Sequence, residues 1–148
     1  MECRISLSED RNYIVLKVTG SFTAQSFMKF IVESHRLGQE MDIHRYLVDA
    51  TEARNVDSAF GNYKFAYEDM ESTPGIDRLA RVAGLVSPGD HSHDFVETVS
   101  TNAGMSLKLF TDIAPCSHHR RHIENQCVPA SSRCLHMTAA PHSCLLLN

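Results

Sequence analysis

The sequence predicts an α/β domain: a mixed, mostly parallel five-stranded sheet in the order ββαβαβαβ, covered by helices. Short runs of β-branched and aliphatic residues alternate with longer segments whose apolar residues recur every three or four positions. Strands separated by helices of that length imply right-handed crossovers and parallel pairing. At 148 residues, 43% hydrophobic and 22% charged, the chain is long enough for one domain with a real core.

The elements follow in order. Ile5 and Leu7 fit a short edge strand; Asn12 offers a turn before Tyr13 to Thr19, a β-branched run that ends at Gly20. These two strands are expected to form a hairpin. Phe27, Phe30, Ile31, Ser34 and Leu37 then follow helical spacing, with Ser21 or Thr23 as N-cap and Gly38 as the stop. Tyr46-Leu47-Val48-Asp49 is a buried strand delivering an acid to its end. From Asp57, the residues Phe60, Tyr63, Tyr67 and Met70 mark a second helix whose aromatic stripe is expected to face the core; Thr73-Pro74-Gly75 closes it. Val82 to Val86 form the fourth strand. Phe95, Val96 and Val99 mark a third helix, capped by Asp90 or Ser92 and ending near Asn102-Ala103-Gly104, and Leu107 to Phe110 form the fifth strand.

In an open α/β sheet the ligand crevice lies beyond the carboxyl ends of the strands. Here those ends are Asp49-Ala50-Thr51, Ser87 to Asp90, and Thr111-Asp112. The candidate binding residues are therefore Asp49, Thr51, Asp57, Ser58, Ser87, Asp90, His91 and His93. The stretch SPGDHSHDF, with two histidines flanked by acids, also invites a metal reading through Asp90, His91, His93 and Asp94. A catalytic metal needs three or four ligands with an open position. Residues two apart on a helix do not share a face, so a helical first turn would separate His91 from His93 and leave His91 paired with Asp94.

Composition narrows the partner classes. A formal charge of -4 supplies no broad basic surface for nucleic acid or anionic lipid. No apolar run approaches the roughly 18 residues of a membrane span, and MECRISLSED lacks a signal-peptide h-region, so a cytoplasmic protein is the expectation. Neither a G-x-x-x-x-G-K-[ST] phosphate loop nor a G-x-S-x-G elbow occurs. Nothing in these patterns calls for a cofactor, a resident metal or a catalytic set.

The two-strand opening together with LVDATEARNVDSAF, RVAGLVSPGDHSHDFVET and NAGMSLKLFTD resembles the SpoIIAA-like proteins, the STAS/SEC14-type family of small bacterial domains, over roughly residues 3–112. The resemblance implies a non-enzymatic regulatory or protein-binding module rather than a hydrolase. In the anti-anti-sigma branch, a serine at the start of the helix after the third strand, in an Asp-Ser-Ser-Gly-like stretch, is phosphorylated and so switches protein binding. The counterpart here is Val56-Asp57-Ser58-Ala59-Phe60. Ser58 matches the first serine, whereas Ala59 and Phe60 replace the second serine and the glycine. Phosphate on Ser58 would suit a helix N-terminus, opposed by Asp57, and the simpler role of Asp57 or Ser58 is to cap the helix. The SEC14 side implies an alternative, a small apolar ligand or lipid held near Phe60, Tyr63, Phe65 and Tyr67, against which stands their ordinary use as core.

The resemblance also implies a helix after the last strand, opened by Asp112. The following residues do not continue it, and the composition changes there. Residues 1–114 carry 11 Lys/Arg and 17 Asp/Glu, residues 115–148 three Arg and one Glu, and four of the five cysteines fall in the second segment. The expected division is a domain over 1–114 and an irregular, disordered or aberrant segment over 115–148, of the kind a frameshift near codon 113 would produce. Loss of the covering helix would expose apolar surface and favour self-association. Cys116, His118, His119, His122, Cys127, Cys134, His136, His142 and Cys144 suggest zinc by residue type, yet no two of these cysteines have the short spacing of a structural site.

Overall fold

The computed structural model describes residues 1–111. The expectations for Asp112 and beyond, namely the replaced helix, the aberrant segment and the zinc reading, lie outside the described residues. Five strands form one sheet in the order β1-β2-β3-β4-β5: β1 (Glu2–Leu7), β2 (Ile14–Phe22), β3 (Arg45–Asn55), β4 (Arg81–Leu85) and β5 (Ser106–Phe110). β1 pairs antiparallel with β2, and every later pair is parallel. The predicted ββαβαβαβ order is the observed one.

The hairpin turn is built by Ser8, whose Oγ accepts from the amides of Asn12 and Tyr13 at 3.0 and 3.1 Å. Arg11, rather than Asn12, takes the left-handed conformation, with φ 57°. Helix α1 (Ala24–Met41) starts at Thr23 in a capping box with Ser26. It does not stop at Gly38. It runs on to Met41, and Asp42 ends it with φ 56°. Gly38 serves a different purpose: a Cβ there would sit 2.1 Å from the Tyr46 hydroxyl and 2.7 Å from the Ile43 carbonyl, so the glycine lets α1 approach β3.

β3 is longer than the predicted Tyr46–Asp49 run, which places Asp49 inside the strand. The extension, Ala50 to Asn55, pairs with the end of β2 through one extra residue on β3, since Lys17 faces Asp49 while Thr19 faces Glu52. Such a bulge shifts the side-chain alternation by one. Ala50 and Ala53, three apart, consequently both enter the helix-side core.

The second helical region also departs from expectation. α2 (Ala59–Lys64) passes through a π-helical turn (Phe65–Asp69) into the short α3 (Met70–Ser72). The wide turn lets Phe65 and Met70, five apart, both face inward with Ala66. Phe60 and Tyr63, predicted as core, instead point outward and are 73% and 47% exposed. A strict 3.6 period cannot anticipate that inserted residue.

α4 (Asp94–Asn102) begins after His93 without a side-chain cap. Asp90 and Ser92, the predicted caps, are used elsewhere. The main core lies between these helices and one sheet face, where Ile14, Leu16, Val18, Phe27, Ile31 and Val99 are buried. A smaller cluster of strand residues, Leu47, Ala83 and Leu85 with Tyr13, Val15 and Phe110, occupies the other face.

Candidate functional site

The carboxyl ends of β2, β3 and β4 converge with the starts of α1, α2 and α4, and polar side chains join these junctions. Asn55, at the end of β3, is buried. Its Nδ2 donates to Asn62 Oδ1 at 2.9 Å, its Oδ1 accepts from the Asp57 amide at 2.9 Å, and its own amide donates to Ser92 Oγ at 3.2 Å. Asp57 reaches two helices: Oδ2 accepts from the Ala24 amide that opens α1 at 2.8 Å, and Oδ1 accepts from the Ser58 amide at 2.9 Å. A Cβ on Gly61 would lie 2.0 Å from that Oδ1, so α2 needs glycine there to leave room for the carboxylate. Ser58 caps α2 by accepting from the Gly61 amide at 2.9 Å, which is the capping role expected of it.

SPGDHSHDF joins the same edge without forming a chelate. Asp90 Oδ1 accepts from the Ser92 amide at 2.9 Å. That amide holds the Asp90 carboxyl below the usual range against the opposing effect of burial, with lesser help from the Ser92 side chain, His93 and Arg54. His93 is buried, and its Nε2 donates to the Ala53 carbonyl at 3.3 Å; because a carbonyl can only accept, that nitrogen carries the hydrogen. Its ring also packs against Phe22. His91 points to solvent and pairs with Asp94 at 2.8 Å. The two histidines diverge, although both precede α4, so a turn rather than the expected helical first turn separates them. Among the described residues, no group of three or more His, Cys, Asp or Glu side chains is placed to hold a metal ion.

The predicted residues therefore separate into sets. Asp57, Ser58, Asp90 and His93 belong to one hydrogen-bonded edge on the helix side. Asp49, Thr51 and Ser87 form another group: Asp49 Oδ1 accepts from the Thr51 hydroxyl at 2.7 Å, and Ser87 Oγ donates to the Thr51 carbonyl at 2.5 Å. Asp49 follows Leu47 onto the sheet face away from the helices, so it does not deliver its carboxylate to the helix-side edge. Sequence reasoning missed Asn55, Asn62 and Ser92. An isolated asparagine reads as a turn residue, and only the strand extension brings Asn55 to Asn62.

Around this bonded edge lies an apolar surface. Val56, Phe60, Tyr63 and Phe95 are 54%, 73%, 47% and 43% exposed. Tyr63 stacks on Tyr67 with ring centroids 4.5 Å apart, and α2, which carries Phe60 and Tyr63, packs on α4, which carries Phe95.

The opposite end of the sheet holds an ionisable group. His44 Nδ1 and Asp77 Oδ2 are 2.6 Å apart, and the Asp77 amide donates to Nδ1 of buried His35 at 2.9 Å. The His44 ring is held above its ordinary value by its hydrogen bond to Asp77. Burial pushes His35 down, opposed by the Asp77 charge. Between the two ends, lined by helices and sheet, is a partly open apolar cavity of about 140 Å³.

No protein-family model matches the chain, and no curated protein matches it. Among solved structures, that of the anti-sigma factor antagonist SpoIIAA in its unphosphorylated form matches with a TM-score of 0.51, covering 84% of this chain and 97% of that one at 8% identity. The chain has the SpoIIAA fold. A DUF3478 protein with a SpoIIAA-like fold from Shewanella loihica is similar at a TM-score of 0.42 and 15% identity, covering 85% of this chain and 93% of that one. At these identities the likeness concerns the fold. No helix among the described residues is long and apolar enough to cross a membrane.

Proposed function

We propose that this chain is a non-enzymatic protein-binding module that docks a protein partner at the carboxyl edge of its sheet. The observation that carries the reading is the exposure of Phe60, Tyr63, Val56 and Phe95 beside a polar network whose members are already bonded to one another. Aromatic side chains held out on a rigid edge are the residues that dominate protein interfaces. Asp57, Asn55 and Asn62 keep the edge rigid, and Ser58, Asp90 and His91 supply a polar rim. Asp49, Thr51 and Ser87 support the neighbouring strand ends.

The SpoIIAA fold supports a regulatory role of the anti-sigma factor antagonist type, and Ser58 is the position where a phosphate would act. Its side chain is exposed and already faces the first turn of α2. A phosphate there would add negative charge next to Asp57 and alter the rim. Mass spectrometry of the protein isolated from its own cells tests this: Ser58 phosphopeptide is the expected result, and a consistently unmodified Ser58 limits the module to constitutive docking. The docking itself is tested by quantitative capture from the same cells with the chain and its Phe60→Ser/Tyr63→Ser variant. A partner retained by the parent and lost by the variant is expected; equal recovery would remove the reading. A cytoplasmic setting, proposed from composition, fits the same experiment. A second reading, a small-ligand domain, is favoured by the interior cavity rather than by the exposed rings.

A further inference from the structure

We infer that the cavity between the helices and the sheet is a binding site for a neutral, ring-sized apolar molecule carrying one hydroxyl or carbonyl, with the Ser100 hydroxyl as its polar anchor. This inference is independent of docking at the outer edge. Leu16, Phe27, Ile31, Val82, Leu107 and Leu109 supply much of the wall, and no Asp, Glu, Lys or Arg among the described residues lines it. At about 140 Å³ the space is close to that of an engineered apolar cavity that stays dry and accepts benzene.

The polar groups on the wall identify the chemistry. Ser34 Oγ donates to the Ile31 carbonyl, the Tyr46 hydroxyl donates to the Ile43 carbonyl, Asn55 bonds Asn62, His93 bonds the Ala53 carbonyl, and His35 accepts from the Asp77 amide. Ser100 differs. It is 1% exposed, lines the cavity from α4, and its Oγ has no hydrogen-bond partner among the described residues. A buried unpaired hydroxyl and an apolar void are each destabilising, and here they occur together. One occupant relieves both if it is apolar over most of its surface and offers a single group to the serine, which can donate or accept. Water is a poor occupant because it needs two to four polar partners. A carboxylate or phosphate would find no Lys or Arg among the described residues on the wall, and an unpaired buried charge is disfavoured.

The test uses the full chain with phenol, toluene and benzoate, followed by amide and methyl chemical shifts and by thermal melts. Phenol and toluene are expected to bind saturably, with shift changes centred on α4 and the sheet residues beneath it, whereas benzoate leaves the spectrum unchanged. Ser100→Ala is expected to weaken phenol about three- to tenfold, the range of one hydrogen bond, and to leave toluene unaffected. Ala50→Leu, which fills the cavity from the sheet, is expected to abolish both. If that variant does not fold, the phenol and toluene contrast in Ser100→Ala decides alone. No saturable binding of either neutral probe, benzoate binding as well as phenol, or equal weakening of phenol and toluene by Ser100→Ala would overturn the inference.

Discussion

The two ends of the sheet are held together by different chemistry. At the carboxyl end, amide side chains and one aspartate bridge strand ends to helix starts, with Asn55 and Asn62 buried and bonded to each other. At the amino end, His44, Asp77 and His35 make the equivalent links through groups that titrate. Polar residues beside the proposed docking edge can serve the fold rather than a partner. The network beside Phe60, Tyr63 and Phe95 centres on an amide pair that carries no charge, whereas the far end links its elements through histidines.

The largest expected effect strikes the amide network. Asn55→Ala removes the side-chain partners of Asn62 and of the Asp57 amide together and keeps the backbone bond to Ser92; leaving buried polar groups unpaired costs about 1–3 kcal/mol. Denaturant melts should show a loss near the top of that range that stays constant between about pH 6 and 8, because amides do not titrate. A loss that varies with pH would erase the distinction between the two ends.

Asp57→Ala comes next. It leaves the first amide of α1 and the Ser58 amide without their carboxylate, and losing a helix cap typically costs about 1 kcal/mol, reaching about 2. The expected loss is about 2 kcal/mol in the same melts. Amide exchange should quicken at the starts of both α1 and α2; exchange that quickens at α2 alone would deny the bridge.

Smaller again is the pH response of the amino end. The folded value of His44 is raised above 6.5, so its contribution is fully present below pH 6.5 and is lost as pH rises through the folded value. The folded value of His35 is lowered below 6.5, so its contribution is fully present above pH 6.5 and is lost as pH falls through the folded value. Stability should therefore pass through a maximum near pH 6.5. Because the His44 side chain is 58% exposed, solvent screening keeps its part under about 1 kcal/mol. His44→Gln should flatten the alkaline limb and spare the acid limb, as read by melts from pH 5 to 9; an unchanged alkaline limb would assign that slope to other groups.

Much of the architecture was legible in the sequence because strands and helices announce themselves through period. Tyr13 to Thr19 and Val82 to Val86 are β-branched runs, and Phe27, Phe30, Ile31 and Ser34 trace one face of α1. The second half of β3 was not legible: Thr51-Glu52-Ala53-Arg54-Asn55 looks like a polar loop and is a strand only because β2 pairs with it across a bulge. The faces of α2 were misread for a related reason, since the π-helical turn moves Phe65 and Met70 inward and leaves Phe60 and Tyr63 outside. At the site, Ser58 was readable as a cap, and His91 as a partner of Asp94, because both are local bonds. Asn55 with Asn62, Ser92 and the cavity behind Ser100 were not. They depend on which distant elements meet, and a void has no residue to mark it.

One pair of variants separates stability from partner binding most directly. Phe60→Ser/Tyr63→Ser changes exposed side chains and removes the Tyr63–Tyr67 stack, which should lower stability by about 1 kcal/mol while abolishing partner capture. Ser87→Ala, which removes a bond to the Thr51 carbonyl, should lower stability by about 1 kcal/mol and leave capture intact at a temperature where it is folded. Capture retained without the two rings, or lost with Ser87 alone, would contradict an edge whose polar groups hold the fold and whose exposed rings hold the partner.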